Sequence, residues 1–302
     1  MSAACNTFQL ELPGLREDNP RDFLATLGLL RLVDLLWPEA KVELGWNMEQ
    51  GVPCIQSAAS LPTDWMGEIV TQLKDLAERP NSPMFHGDVI KADLDRYRDA
   101  VTQAVDFGAE DHPLAELPRL LYSAYASQLP SESGDLMVSG FSFGNGQGGK
   151  KLLLDVKQLL GGIDADDLEA ALAGTAKPRQ AKTLRWNPAE FRPAAYRSHD
   201  PGAKHKGDEV RDVPCLNVLA FIGLTFFPTV PTSRGGATLG LFRSDSQTYF
   251  RWPIWAEGLT AQEVQTLMVV EPREGTGSGR RFRSRRFSSD KSLYLAPSER
   301  EF

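Results

Sequence analysis

The chain has 302 residues, 41% hydrophobic and 24% charged, with a formal net charge of −7. That composition excludes wholesale disorder, and the length supports a substantial core, in one large or two modest domains, without disulfide or metal staples. The negative total excludes a uniformly basic nucleic-acid binder, yet it averages two unlike halves: residues 1–175 hold 13 Lys/Arg against 27 Asp/Glu, and residues 176–302 hold 20 against 13.

Asn19 suits an N-cap and Pro20 a first helical residue, so a helix is predicted through Phe23–Trp37. It is apolar on most sides, which places it in the core, and Pro38 stops it. Lys41–Trp46 alternates as a half-buried strand. Helices are predicted over Thr63–Glu78, Ile90–Phe107 and Leu114–Leu129. A strand at Leu136–Phe143 leads into a glycine loop, Gly144–Gly149, and a helix at Lys151–Leu160. An acidic helix, Asp164–Ala173, precedes a polar, proline-punctuated stretch from Gly174 to Val213 that reads as a boundary or a long functional loop. Then come an apolar helix (Leu216–Phe227), strands at Ala237–Arg243 and Thr248–Trp255, a helix at Thr260–Val269 and a flexible linker at Gly275–Gly279. The expected class is α+β, with apolar helices packed on mixed or antiparallel sheets. Its expected division is an acidic, mainly helical body at 1–175 and a basic α+β half at 176–302.

One internal echo crosses that division. Leu24-Ala-Thr-Leu-Gly-Leu29 reads against Leu219-Ala-Phe-Ile-Gly-Leu224, and at the same offset Leu44-Gly45 reads against Leu239-Gly240. A duplicated helix-then-strand unit would give this pattern, with Gly28 and Gly223 allowing close backbone approach. Coincidence among common residues is the alternative.

Three stretches carry cations in patterns that bear on function. Gly144–Lys150 satisfies the GxxxxGK spacing of a phosphate-cradling loop, but Lys151 stands where a magnesium-binding Ser or Thr is needed. The loop, with Lys150 and Lys151, fits a phosphate held by backbone amides, or else a structural turn. Lys177–Trp186, Arg192, Tyr196-Arg197 and Lys204–Lys206 interleave cations with aromatics, as single-stranded nucleic acid requires. There Arg185, Arg192 and Arg197 suit phosphates, while Trp186 and Tyr196 suit base stacking or core support. Arg280–Arg286 holds five arginines in seven residues. Read as a strand, it puts Arg281, Arg283 and Arg285 on one face, where they could follow a phosphate backbone, and Arg280, Phe282 and Arg286 on the other. A solvated edge would look the same.

Metal, cofactor and catalytic signals are weak. His86, His112, His199 and His205 lack HExxH or paired zinc spacing, and the acids at Asp164–Glu169 suit a helix start. No metal and no cofactor are expected, and no catalytic residue is assigned. Cys5, Cys54 and Cys215 form neither a disulfide framework nor a CxxC pair, which fits a reducing cytoplasm. No secretory signal and no membrane partner are expected; the longest apolar run, Val218–Phe227, is too short to span a bilayer.

Several stretches resemble CRISPR-associated proteins of the type I-G (formerly I-U) systems. Leu12-Pro-Gly-Leu15, Asn19-Pro20 and Phe23–Arg31 resemble the family's N-terminal signature. Phe141–Gly148 with Leu152–Leu159 is similar to its glycine-glutamine loop. Arg185-Trp-Asn-Pro188, Arg192, Tyr196-Arg197 and Asp200-Pro201 resemble a middle motif. Asn217–Ala220, Phe227-Pro228 and Phe250–Trp255 resemble a closing one. The resemblance spans roughly residues 15–255. It departs at Gly149-Lys150 and does not include the Arg280–Arg286 run. It implies a subunit or accessory of an RNA-guided effector complex, either large-subunit-like or like an extension of the helicase-nuclease. The partners then expected are guide RNA, target DNA and other CRISPR-associated subunits. The other classes left open are a guide-processing ribonuclease using His199 or His205 near Lys204, a phosphate-loop nucleotide-binding enzyme, and a protein-only scaffold or regulator.

Overall fold

The computed structural model describes residues 8–79, 94–127, 136–142, 149–188, 211–232, 235–270, 279–289 and 292–301. Helix α1 (Pro20–Leu36) begins where the capping residues require: Asn19 is extended and its side chain accepts from the backbone N–H groups of Arg21 and Asp22. Every residue from Pro20 to Val33 is buried, so α1 lies in the core on all sides. Its partner is α7 (Pro214–Gly223), also buried throughout and extended by a 3-10 turn at Leu224–Phe226.

The two helices meet backbone to backbone at glycine. A Cβ on Gly28 would stand 1.9 Å from the Leu219 carbonyl oxygen, and one on Gly223 would stand 1.9 Å from that of Leu24. The contact is reciprocal, as if about a local twofold axis, and it joins the glycines and leucines that echo each other in sequence. Only glycine permits it.

Two antiparallel four-stranded sheets are built around this pair. The first runs β1-β3-β2-β10, from β1 (Phe8–Glu11), β2 (Glu43–Asn47), β3 (Val52–Ser57) and β10 (Leu259–Thr260). The second runs β12-β11-β9-β8, from β8 (Leu241–Ser244), β9 (Gln247–Ile254), β11 (Arg280–Ser289) and β12 (Ser292–Arg300). Pairs β4 (Arg179–Gln180) with β5 (Arg211–Asp212), and β6 (Thr229–Thr232) with β7 (Gly235–Thr238), add two short ribbons. The predicted α+β class, with apolar helices on antiparallel sheets, is the class observed.

Phe23 of α1 links the sheets. Its ring lies 6.2 Å from Trp46 in the first, 5.8 Å from Trp252 and 6.3 Å from Phe250 in the second, and 6.4 Å from Trp255 just beyond β9. Trp255 donates its indole N–H to the Leu44 carbonyl at 2.7 Å, and β10 completes the first sheet. The acidic and basic stretches of sequence thus interlock through one aromatic core.

Around the core stand α2 (Trp65–Glu78), α3 (Leu94–Phe107), α4 (Leu117–Tyr125), α5 (Gly149–Gly161), α6 (Ala165–Leu172) and α8 (Ala261–Val269). The first turn of α8 is a capping box, with Thr260 and Glu263 exchanging side-chain and backbone hydrogen bonds. Two predicted strands differ. Leu136–Ser142 forms only an isolated bridge, Ala126 with Val138, before turning at Gly140-Phe141; Phe143 lies outside the described residues. Ala237–Arg243 is broken at Leu239-Gly240, where Gly240 takes φ +77°, so its two pieces join different sheets. Strand β3 escapes the sequence pattern because Pro53 reads against a strand interior.

Candidate functional site

The second sheet has two chemically different faces. On the inner face Phe250, Trp252 and Ile254 of β9, Phe282 and Ser284 of β11, and Leu295 of β12 are buried. The alternate positions point outward: Tyr249, Arg251 and Pro253 on β9, and Arg281, Arg283 and Arg285 on β11. The face division predicted for the arginine run therefore holds. Arg280 turns inward to Glu17, its Nη1 donating to Oε1 at 2.5 Å, and Arg286 donates to the Gly140 carbonyl at 3.0 Å. Burial, then the nearby Arg243, pushes the Arg286 guanidinium below its ordinary pKa.

Outward, cations and aromatic rings form an interleaved layer. The Arg251 guanidinium lies 3.8 Å above the Phe242 ring centroid, that of Arg283 5.1 Å from Tyr249, and that of Arg285 3.5 Å from Phe287. Phe242 stacks on Tyr249 at 5.4 Å, and Phe287 on Tyr294 at 5.6 Å. Register explains the layer: Phe242 faces Tyr249, Arg251 faces Arg283, and Phe287 faces Tyr294 across the ladder.

Two carboxylates steady it. Arg283 donates from Nε to Glu299 at 2.6 Å and stands 3.7 Å from Glu301, which also approaches Nε of Arg251 at 2.9 Å. The Glu299 hydrogen bond raises the Arg283 pKa further, so its charge is permanent. A guanidinium carries five N–H donors, more than these carboxylates engage on Arg283, so the layer retains donors for an anion. Arg281 departs from the expectation of a third exposed cation. It is only 6% exposed, in the wall of a cleft beside the end of α8.

The other candidate residues fall elsewhere. Trp186 is fully buried and donates to the Phe141 carbonyl at 3.3 Å, which makes it core support and removes it as a base-stacking platform. Arg185 takes a left-handed φ of +64°, and its carbonyl accepts from Leu295 N–H at 3.1 Å, tying the loop to β12. Lys150 and Lys151 lie in the first turn of α5, with side chains outside the described residues. Arg192, Tyr196, Arg197, His199, Lys204 and His205, and the glycine loop through Gly148, lie outside them as well.

Asn187, next to Trp186, belongs to a buried polar knot at the N-termini of α1 and α7. Asp212 accepts from Arg21, from Asn187 at 3.1 Å, from the Val213 N–H at 2.8 Å and from Asn217 at 2.7 Å. Asn19 donates to Asn187 at 3.1 Å, and Arg21 also engages Asp22. Burial raises the Asp22 carboxyl's pKa, with Arg21 opposing it. The knot fixes residues 187 and 212 against the helix pair, a structural role.

Sequence reasoning missed Arg251, Phe242, Tyr249, Phe287 and Tyr294. The alternation of Gln247–Ile254 carried the signal for Tyr249 and Arg251, but their cross-strand neighbours depend on a pairing between stretches some thirty residues apart. Among the described residues no group of three or more His, Cys, Asp or Glu side chains could hold a metal ion, and no helix is long and apolar enough to cross a membrane. Compared with protein-family models, curated proteins and solved structures, the chain matches none.

Proposed function

We propose that this chain is a non-catalytic component of an RNA-guided, type I CRISPR-like effector, and that it holds single-stranded nucleic acid on the outer face of its second sheet. The observation that carries the reading is the interleaved layer of Arg251, Arg283 and Arg285 with Phe242, Tyr249 and Phe287. Guanidiniums meet phosphates by bidentate hydrogen bonds, and half-exposed rings offer bases a stacking surface, a combination that binds strands with little sequence preference. Guide pairing would supply sequence specificity, leaving the protein to hold backbone. The resemblance of Phe23–Arg31, Arg185–Pro188 and Phe250–Trp255 to the type I-G family supplies the effector context. The acidic half, opposite in charge, is the part suited to partner subunits.

The test is purification of the tagged chain from its native host. Guide RNA and CRISPR-associated proteins are expected to accompany it, and Arg283→Glu/Arg285→Glu is expected to lose RNA crosslinking to this chain. Recovery of the wild-type chain with neither RNA nor CRISPR-associated proteins would overturn the reading.

A further inference from the structure

One row across the second sheet reads Arg251 on β9, Arg283 on β11 and Glu299 on β12, each facing the next in the antiparallel register. Two guanidiniums directly opposite each other repel, so the row needs negative charge beside it. Glu301 supplies part of that charge, with Oε2 2.9 Å from Nε of Arg251 and Oε1 3.7 Å from Nη1 of Arg283. Its side chain is only 12% exposed and its backbone N–H donates to the Arg281 carbonyl at 2.8 Å, so Glu301 is a fixed part of the layer.

Glu299 is placed differently. Its side chain is 58% exposed, against 34% for Arg283, and it accepts from Nε at 2.6 Å. A guanidinium grips an anion with two parallel hydrogen bonds, along its Nε–Nη2 edge or its Nη1–Nη2 edge. Glu299 holds one end of the first edge, and Glu301 stands near one end of the second. A phosphate that takes the Nε edge of Arg283 must therefore displace Glu299. Exposed ion pairs are weak, because water screens them and two long side chains must be held in one geometry, so this is the contact a polyanion can open.

We infer that Glu299 is a built-in counter-anion of the proposed strand site: it occupies Arg283 in the free protein and leaves it when a phosphate arrives. This rests on the proposed nucleic-acid reading and adds to it how occupancy of the site is controlled. A carboxylate on the same chain competes at high effective concentration, so a lone phosphate gains little at Arg283. A strand already held at Arg285 and on the rings delivers its next phosphate with the same advantage. The site thereby favours strands of several nucleotides over free nucleotides.

The experiment titrates a fluorescently labelled uridine octamer at low salt against wild type, Glu299→Gln, Arg283→Gln and the double variant Arg283→Gln/Glu299→Gln. Glutamine keeps the length and an acceptor oxygen of glutamate, so Arg283 stays positioned while the competing charge is lost. Glu299→Gln is expected to bind about fivefold tighter than wild type, the upper end of what an exposed ion pair withholds. That gain should vanish in the Arg283→Gln background, because the carboxylate acts through this one guanidinium. Binding by Glu299→Gln that is equal to or weaker than wild type overturns the inference. So does a gain of the same size without Arg283, which is the mark of general charge repulsion. Either result leaves strand binding standing. Absence of binding by wild type and Glu299→Gln alike removes the nucleic-acid reading, and this inference with it.

Discussion

The two four-stranded sheets share one aromatic core and present opposite chemistry to the outside. The first shows Gln9 and Glu11 of β1, Glu43 and Asn47 of β2, and Gln56 of β3, with Asn47 donating to Glu11 at 3.0 Å; no Lys or Arg stands on its four strands. The second shows Arg251, Arg283 and Arg285 among aromatic rings, steadied by Glu299 and Glu301. Inside, both meet Phe23. Charge was thus free to diverge on surfaces while the packing beneath them stayed common, because exposed positions alternate with buried ones along each strand. The net charge of −7 is a sum over these unlike faces.

If the sheets depend on one core, damage to it should melt both together. Phe23→Ala removes the ring that touches both and is expected to cost about 4 kcal/mol, read as a lower denaturant midpoint with a single transition by fluorescence and circular dichroism. Two separate transitions would break the shared-core account. Gly28→Ala forces a Cβ onto the Leu219 carbonyl and is expected to cost about 3 kcal/mol, with Gly223→Ala similar because the contact is reciprocal. A neutral outcome at either glycine would show that the helices separate cheaply.

A smaller effect belongs to the acidic half alone. His112 Nδ1 accepts from Leu114 N–H at 2.9 Å, which leaves Nε2 to donate to Asp75 at 3.1 Å. Burial, then Arg79, lowers the His112 pKa, so the folded chain favours the neutral ring. The unfolded chain takes up that proton near the ordinary value of about 6.5, and stability should fall as pH drops from 7 toward 5. His112→Gln is expected to flatten that limb of a melting-temperature profile. An unchanged slope would assign it to other groups.

Local chemistry made much of this fold legible. Asn19-Pro20 marked the start of α1, and the Gly28 and Gly223 echo named the two residues that touch. Alternation in Arg280–Arg286 set which arginines face outward. Sequence was silent where long-range packing decides. Pro53 hid a strand that its neighbours β1 and β2 hold in place. Leu239-Gly240 looked continuous with its flanks, but a positive φ sends the chain from one sheet to another. Trp186 had the composition of a stacking platform, and burial beneath Phe141 made it core. Of the site, one strand could be read; the layer exists only once β8, β9, β11 and β12 are in register.

The most direct test of the contrast is the salt dependence of binding to a uridine octamer, compared across wild type, Arg283→Glu/Arg285→Glu on the second sheet and Glu11→Gln/Glu43→Gln on the first. At about 0.7 per phosphate contact on single strands, the arginine pair should reduce the log–log slope by about 1.4 and weaken binding at least tenfold at low salt, while the glutamate pair leaves the slope unchanged. Slopes that match in all three proteins, or wild-type binding too weak to measure at low salt, would contradict the assignment of nucleic-acid contact to the second sheet.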